Sequence, residues 1–331
     1  MTDNISYYIS KFFQDELGNI KECSINTKKS YRDSVVQLLS FVSNKKGINS
    51  NLKIDDFSAD LINDFINYLR NEKNLSISTC NLRLIAIKEL FKFIQLKNVD
   101  YFELCSNIIK IEHKKKEEPI IKYLSINEIT KLFEVFNFDD NIEYRHFMIL
   151  TTLYETAARV QELCDLKVCD VNIINNSITL TGKGKTTRVV PIGKALSNNL
   201  KEYIENLKLK KDEVLFKNRK GQKLTRVGVQ YIIDKYVDIA RNRNNDLFTF
   251  KPTNHTFRHS KAMHMLEAGV NLVYIRDILG HVSVTTTEIY AKCSLELKKK
   301  ELEKNHNDIQ PEITYSEEQQ EDLINWLKNN I

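Results

Sequence analysis

The sequence predicts a mainly α fold with a small antiparallel β-sheet, divided into a helical N-terminal part and a mixed α+β second part. Three observations predict it. Apolar residues recur at helical spacing through the first hundred positions. A charge run closed by Pro119 interrupts that pattern between residues 110 and 122. Beyond it, a pair of short β-type runs flanks Gly182-Lys183-Gly184-Lys185 among further helical stripes.

Taken in order, Tyr31, Val35, Leu38, Leu39 and Val42 share one face of a helix over 27–42. Ser58 is placed to cap a second helix carrying Leu61, Ile62, Phe65, Ile66 and Leu69. Ser76 or Ser78 opens a third, with Leu82, Ile85, Ala86, Leu90, Phe91 and Ile94 as its core stripe. The polar sides carry Lys28, Lys29, Arg32, Arg83, Lys88 and Lys92, suited either to nucleic-acid phosphates or simply to solvent. Lys114 and Lys115 lie in the charge run, which reads as a linker able to track a polyanionic backbone.

In the second part, Ser125 and Glu128 form a capping box ahead of Ile129, Leu132 and Phe133. A helix through Phe147 to Tyr154 follows. Ile178–Leu180 and Val189–Ile192 then read as a hairpin. Thr225 caps a long helix through Ile239, and the helical pattern resumes at Phe257, stops at Gly269, runs to Gly280 and restarts after Ser283. No internal repeat is visible.

The chain of 331 residues is long enough for two domains, and 42% hydrophobic with 28% charged content is that of a globular protein. No apolar run approaches the ~20 residues of a membrane span. Met1-Thr2-Asp3-Asn4 lacks the basic-then-apolar pattern of a signal peptide, so a cytoplasmic location is expected. The six cysteines show no C-x-x-C pair, which argues for thiols rather than disulfides or zinc. The net charge of +5 hides an asymmetry: residues 306–331 carry six acids and one base, leaving +10 on the rest. A basic body suits a polyanionic partner, since each phosphate contact releases counterions.

Breaking a phosphodiester without a metal needs a nucleophile, cations for the nonbridging oxygens and an acid for the leaving oxygen. Arginine suits the cation role because its planar fork grips phosphate and stays charged. The second half of the chain offers Arg159 in Ala-Arg-Val-Gln-Glu-Leu, Lys183 at the hairpin tip, and Arg258 in His255-Thr-Phe-Arg-His259. It continues with His281 after Leu279-Gly280, and Tyr290 nine positions later.

This ordered set resembles the phage integrase and Xer-like tyrosine recombinase family, whose signature is similar to residues from about 150 to 292 here. The N-terminal helices are similar, more loosely, to the family's core-binding domain. The resemblance implies a SAM-like helical core-binding domain over 1–110, a basic linker over 111–122, a catalytic domain over 123–296 and a tail over 297–331. It implies that Arg159 and Arg258 clamp the scissile phosphate, that Lys183 protonates the departing 5′ oxygen, and that Tyr290 is the nucleophile. His255 would assist proton transfer, His281 would hydrogen-bond a phosphate oxygen, and Glu162 would orient the site. The arginine pair is expected to favour phenolate character at Tyr290. Double-stranded DNA is the expected partner, through Lys28, Lys29, Arg32, Arg83, Lys114, Lys115, Arg188 and Arg226. Four copies would assemble on synapsed sites and separate to monomers off DNA, with an accessory recombinase or excisionase as a further partner. No metal, ATP, cofactor or membrane is called for. The lysine-rich segment 294–304 is expected to dock on a neighbouring copy.

The family often carries a glycine shortly before the first arginine, where this chain has Thr156-Ala157-Ala158. Alanine resists left-handed backbone angles, so a slightly different turn is expected. Other readings of the same residues are weaker. His255 and His259 are spaced as metal ligands on a helix, but Thr256 stands where a metalloprotease carries glutamate. Gly184-Lys185-Thr186 imitates the end of a P-loop, but Thr179 replaces its first glycine and a strand follows. Topoisomerase-like relaxation of DNA and a non-catalytic DNA-binding relative are the remaining alternatives.

Overall fold

Ser24 sets the start of the first long helix: its hydroxyl accepts from the Thr27 amide, three residues ahead of where the apolar stripe becomes visible. In the computed structural model, which describes residues 3–20, 23–47, 51–115, 121–182, 184, 186–244, 246–280, 287–290 and 317–330, the chain divides into Met1–Pro119 and Ile120–Ile331. Lys183, His281 and the segment 294–304 lie outside the described residues.

The first unit is helical. Helix α1 (Ile5–Lys11) runs into a π-helical stretch, Phe12–Ile20, and is followed by α2 (Ile25–Lys46), which stops at Gly47 in the left-handed conformation. Ser58 caps α3 (Ala59–Asn71) and Ser76 caps α4 (Ile77–Lys97); α5 (Phe102–Ile109) completes the unit. Their core includes Phe12, Val42, Phe65, Ile87, Phe91, Ile94 and Cys105. Leu82 and Ile85, expected inside, are exposed on α4, while Cys80, Leu84, Ile87 and Phe93 take the buried face. Helix α4 is apolar on nearly every side, so periodicity alone could not choose its inner face.

In the second unit, the Ser125–Glu128 capping box opens α6 (Ile126–Phe133), and Asp140 caps α7 (Asn141–Glu155). A short α8 (Val160–Asp165) leads to an antiparallel sheet of β1 (Val171–Asn172), β2 (Ser177–Thr181) and β3 (Thr187–Pro191), in the order β1-β2-β3. Helices α9 (Lys194–Asn206), α10 (Arg226–Arg243), α11 (Asn254–Glu267) and α12 (Leu272–Leu279) follow. Helix α11 begins three residues before the expected Phe257, because Thr253 caps it by accepting from the Thr256 amide. Helix α9 has no counterpart among the expected elements, although Leu196, Leu200 and Tyr203 anchor it in the core.

A second, smaller apolar cluster in this unit joins Ala157, Ala262, Met263, Leu266, Ile275 and Leu279 to Tyr290, which lies in helical conformation with 287–289. A terminal helix α13 (Glu317–Asn330) exposes Leu323, Ile324, Trp326 and Leu327. Among the described residues no helix is long and apolar enough to cross a membrane.

Candidate active site

Helix α12 ends at Gly280, whose φ of 62° lets the chain turn sharply and leaves the last carbonyls of the helix without helical partners. Three arginines from three different elements take them. Arg188 Nε donates to the Ile278 carbonyl at 2.7 Å, Arg258 Nη2 donates to the Leu279 carbonyl, and Arg159 Nη2 donates to the Gly280 carbonyl at 3.3 Å. The negative end of the helix dipole thus faces a cluster of cations.

Each arginine arrives by a readable route. In β3, Arg188 lies two residues before buried Val190 and pairs in register with buried Leu180, so strand parity turns it inward. Arg159 is the N-cap residue of α8, and its own amide donates to Glu162 Oε2 at 2.8 Å. Arg258 sits on α11 with Phe257, Ala262 and Met263 buried around it, and is itself 3% exposed. Burial, then the charges of Arg159 and Arg188, bring its guanidinium down to about 10, still protonated at neutral pH.

Glu162 is the counter-ion. It is buried, accepting from Arg188 at 2.9 and 2.6 Å and from Arg159 Nη1 at 2.9 Å. Burial pushes its carboxyl up, but the hydrogen bonds from Arg188 and Arg159 and the positive charge of Arg188 pull harder, and the net shift is downward. The hairpin is shaped for this carboxylate: a Cβ on Gly182 would stand 3.2 Å from Glu162 Oε1.

The turn before Arg159 departs from expectation. Ala157 itself adopts φ 47°, the left-handed region that favours glycine, and its carbonyl accepts from Arg258 Nη1 at 2.8 Å. The turn is therefore made by alanine, at a strain on the order of 1 kcal/mol. Its methyl group packs in the apolar cluster that holds Tyr290.

Tyr290 is 1% exposed, and its hydroxyl is 2.8 Å from His259 Nδ1. Burial raises its pKa above the ordinary phenol value, and Arg258 only partly opposes this. The expectation that the arginines would favour phenolate is therefore reversed here, because desolvation outweighs them. His259 is brought down to about 4 by burial, then by His255 and Arg258. His255 lies one turn earlier on α11, its ring 6.3 Å from that of His259, and is exposed. Its pKa too is lowered, by partial desolvation and then by Arg258, Arg159 and Arg226.

A model of the phage integrase family matches residues 122–296, and one of the phage integrase N-terminal SAM-like domain matches residues 10–99. The chain belongs to the phage integrase family. Tyrosine recombinase XerD of Staphylococcus epidermidis is 31% identical over 284 residues, covering 78% of this chain and 94% of its own. A putative integrase/recombinase, y4rC, of Sinorhizobium fredii is 28% identical over 298 residues, covering 89% of this chain and 90% of its own. Among solved structures, the Tn1549 transposon integrase in complex with transposon right end DNA superposes with a TM-score of 0.71 at 18% identity, covering 91% of this chain and 99% of that one. XerH site-specific recombinase bound to difH substrate gives 0.67 at 22% identity, covering 89% and 84%. These structures share the fold. This integrase is accordingly a tyrosine recombinase, an enzyme that breaks and rejoins DNA strands.

The structure of the integrase draws together Arg159, Glu162, Arg188 and Arg258 on one side, and Tyr290, His259 and His255 on the other, with α11 common to both groups. Two participants were not assigned from the sequence. His259 was weighed only as a metal ligand, and Arg188 only as a DNA contact; its side chain is 11% exposed and occupied by Glu162 and Ile278. Arg226 is exposed at the start of α10, and its Nε donates to Gln161 at 2.9 Å beside α8.

In the N-terminal unit, Lys29, Arg32, Lys114 and Lys115 are exposed and Lys28 is half-buried. Arg32 pairs with Asp33, Lys114 with Asn67, and Arg83 turns back onto the Ser30 carbonyl and the Ser34 hydroxyl. Among the described residues no three His, Cys, Asp or Glu side chains converge as a metal site. Burial pushes the Cys105 and Cys164 thiols up to about 11, which suits unreactive core residues.

Proposed function

We propose that this integrase exchanges strands between two specific DNA sites through a 3′-phosphotyrosine at Tyr290, as a tetramer on synapsed DNA. Integration or excision of a mobile element and Xer-like resolution are the tasks that fit it, with the cytoplasm as its location. The observation that carries the assignment is the seating of Arg159 and Arg258 on adjacent carbonyls of one helix end, ten or so residues before Tyr290 in the chain. A phosphate gripped by both guanidiniums would have its charge met by cations that are already oriented.

The chemistry follows from that placement. Tyr290 Oη attacks phosphorus, the 3′-phosphotyrosine bond forms, and the P–O5′ bond breaks. Lys183 gives the 5′ oxygen its proton, and His281 hydrogen-bonds a phosphate oxygen. The bond energy is kept in the phosphotyrosine ester, so rejoining to a different 5′ hydroxyl needs no ATP. Lys28, Lys29, Arg32, Lys114, Lys115 and Arg226 hold the duplex through its backbone, and an excisionase or second recombinase sets direction. DNA in the complexes of the Tn1549 integrase and XerH supports a duplex as the partner.

The test uses a duplex carrying the sequence that the protein itself selects from a random DNA pool, nicked next to the cleavage position so that the product is trapped. The wild-type chain should form a denaturation-resistant adduct, and Tyr290→Phe should bind the same duplex yet form none. Binding without any adduct from the wild type would leave a DNA-binding module instead.

A further inference from the structure

The resemblance gives His255 a part in proton transfer, yet the ring in hydrogen-bonding reach of the Tyr290 hydroxyl is that of His259. The phenol is buried in an apolar cluster, so bulk water does not reach it to serve as base. Its hydroxyl is 2.8 Å from a ring nitrogen of His259, a residue that lies outside the family set of two arginines, lysine, two histidines and tyrosine. We infer that His259 Nδ1 is the group that accepts the Tyr290 proton during cleavage and returns it during ligation, with His255 as the outer station between His259 and solvent. This rests on the recombinase reading and assigns it a further catalytic residue.

The geometry supplies the acceptor, while burial of both groups opposes the transfer until a substrate phosphate is in place. His259 is neutral at physiological pH, since burial and the neighbouring His255 and Arg258 disfavour its charged form. A neutral imidazole with its hydrogen on Nε2 presents Nδ1 as an acceptor, at hydrogen-bonding distance from the atom that must lose a proton. Among the described residues, the titratable and charged groups that act on it are His255 and Arg258 on its own helix and Tyr290 at 287–290. A phosphodiester drawn to Arg258 offsets the cation that depresses His259, so the base strengthens when substrate is in place. His255 and His259 stand one helical turn apart with ring centroids 6.3 Å from each other, and His255 is exposed. The step balances: the Oη–H bond breaks, the proton goes to Nδ1, Oη bonds phosphorus, and O5′ leaves with a proton from a separate acid.

The decisive variants are His259→Asn and His259→Ala in the full-length chain. Asparagine keeps a hydrogen-bond acceptor near the Nδ1 position but takes up no proton, so it separates proton transfer from placement of the tyrosine. On the nicked duplex described above, both variants should form the adduct about 100-fold more slowly than wild type, with rates that climb with pH. A second substrate carries sulfur in place of the 5′ bridging oxygen, so that its leaving group needs no proton. There the His259 deficit should persist, whereas the deficit of Lys183→Ala should vanish. Wild-type rates in His259→Asn, or recovery of the His259 variants on the sulfur substrate, would overturn the assignment. A faster adduct in His259→Asn would do so too, since it would make the contact a restraint on the nucleophile. Absence of adduct from the wild type itself would instead fail the recombinase reading, and the two failures are thus distinct.

Discussion

Ala157 and Arg188 carry the most at the scale of single residues. Ala157 holds a left-handed angle that costs on the order of 1 kcal/mol, while its buried methyl contributes about 0.8 kcal/mol. Ala157→Gly should therefore change stability by less than about 0.5 kcal/mol, whereas Ala157→Val, branched at Cβ, should lose about 2 kcal/mol or more. Denaturant melts of the three proteins measure both. Arg188 makes its own prediction because its fork is filled by Glu162 and Ile278. Arg188→Lys cannot reproduce that fork, so it should destabilise the fold by about 3 kcal/mol and slow cleavage. The salt dependence of DNA affinity should stay unchanged; a shallower slope would mean that Arg188 meets phosphate after all. The inward turn of Arg188 was missed, because the strand was expected to begin only at Val189 and the register with Leu180 comes from the folded hairpin. The contact of His259 with Tyr290 was also out of reach, because no spacing rule links residues 31 positions apart.

Among elements, the helix starts at Ser58, Ser125 and Thr225 were legible from their capping side chains and Ser76 was one of two candidates, whereas the caps Ser24, Asp140 and Thr253 were missed. Faces were harder. On α4 the apolar residues surround the helix, and only packing against α2 and α5 decides that Leu84 and Ile87 turn in while Leu82 and Ile85 turn out. The end of α12 is the element on which the site depends. A Cβ at Gly280 would stand 3.0 Å from both Cδ and Nη1 of Arg188, at a backbone angle alanine resists. Gly280→Ala should displace Arg188, lower the thermal midpoint and reduce cleavage at least tenfold. The same substitution in an Arg188→Met background should cost less, and an additive double-mutant cycle would refute this coupling.

At the scale of the molecule, the second unit holds four histidines whose charged forms are disfavoured by full or partial desolvation. His146 and His259 are both brought down to about 4 by burial, and His255 and His264 are lowered as well. An unfolded chain binds protons at these rings near pH 6.5 while the folded one does not. The unfolded state therefore holds more protons between about pH 4 and 6.5, and stability rises with pH across that window. Calorimetry of the chain should show the second unit, Ile120–Ile331, melting at progressively lower temperature from pH 6.5 down to pH 4, and a flat profile would contradict this. The division into two parts and the hairpin could be anticipated from sequence order. The gathering of Arg159, Glu162, Arg188 and Arg258 needed the long-range contacts that only folding supplies. The three carbonyls at residues 278–280 that seat the arginines bear on inheritance. Every amino acid supplies a carbonyl, so the seats survive replacement of the side chains that happen to flank them. Side-chain changes beside these carbonyls should therefore leave the three seats in place so long as the helix end and its glycine are kept.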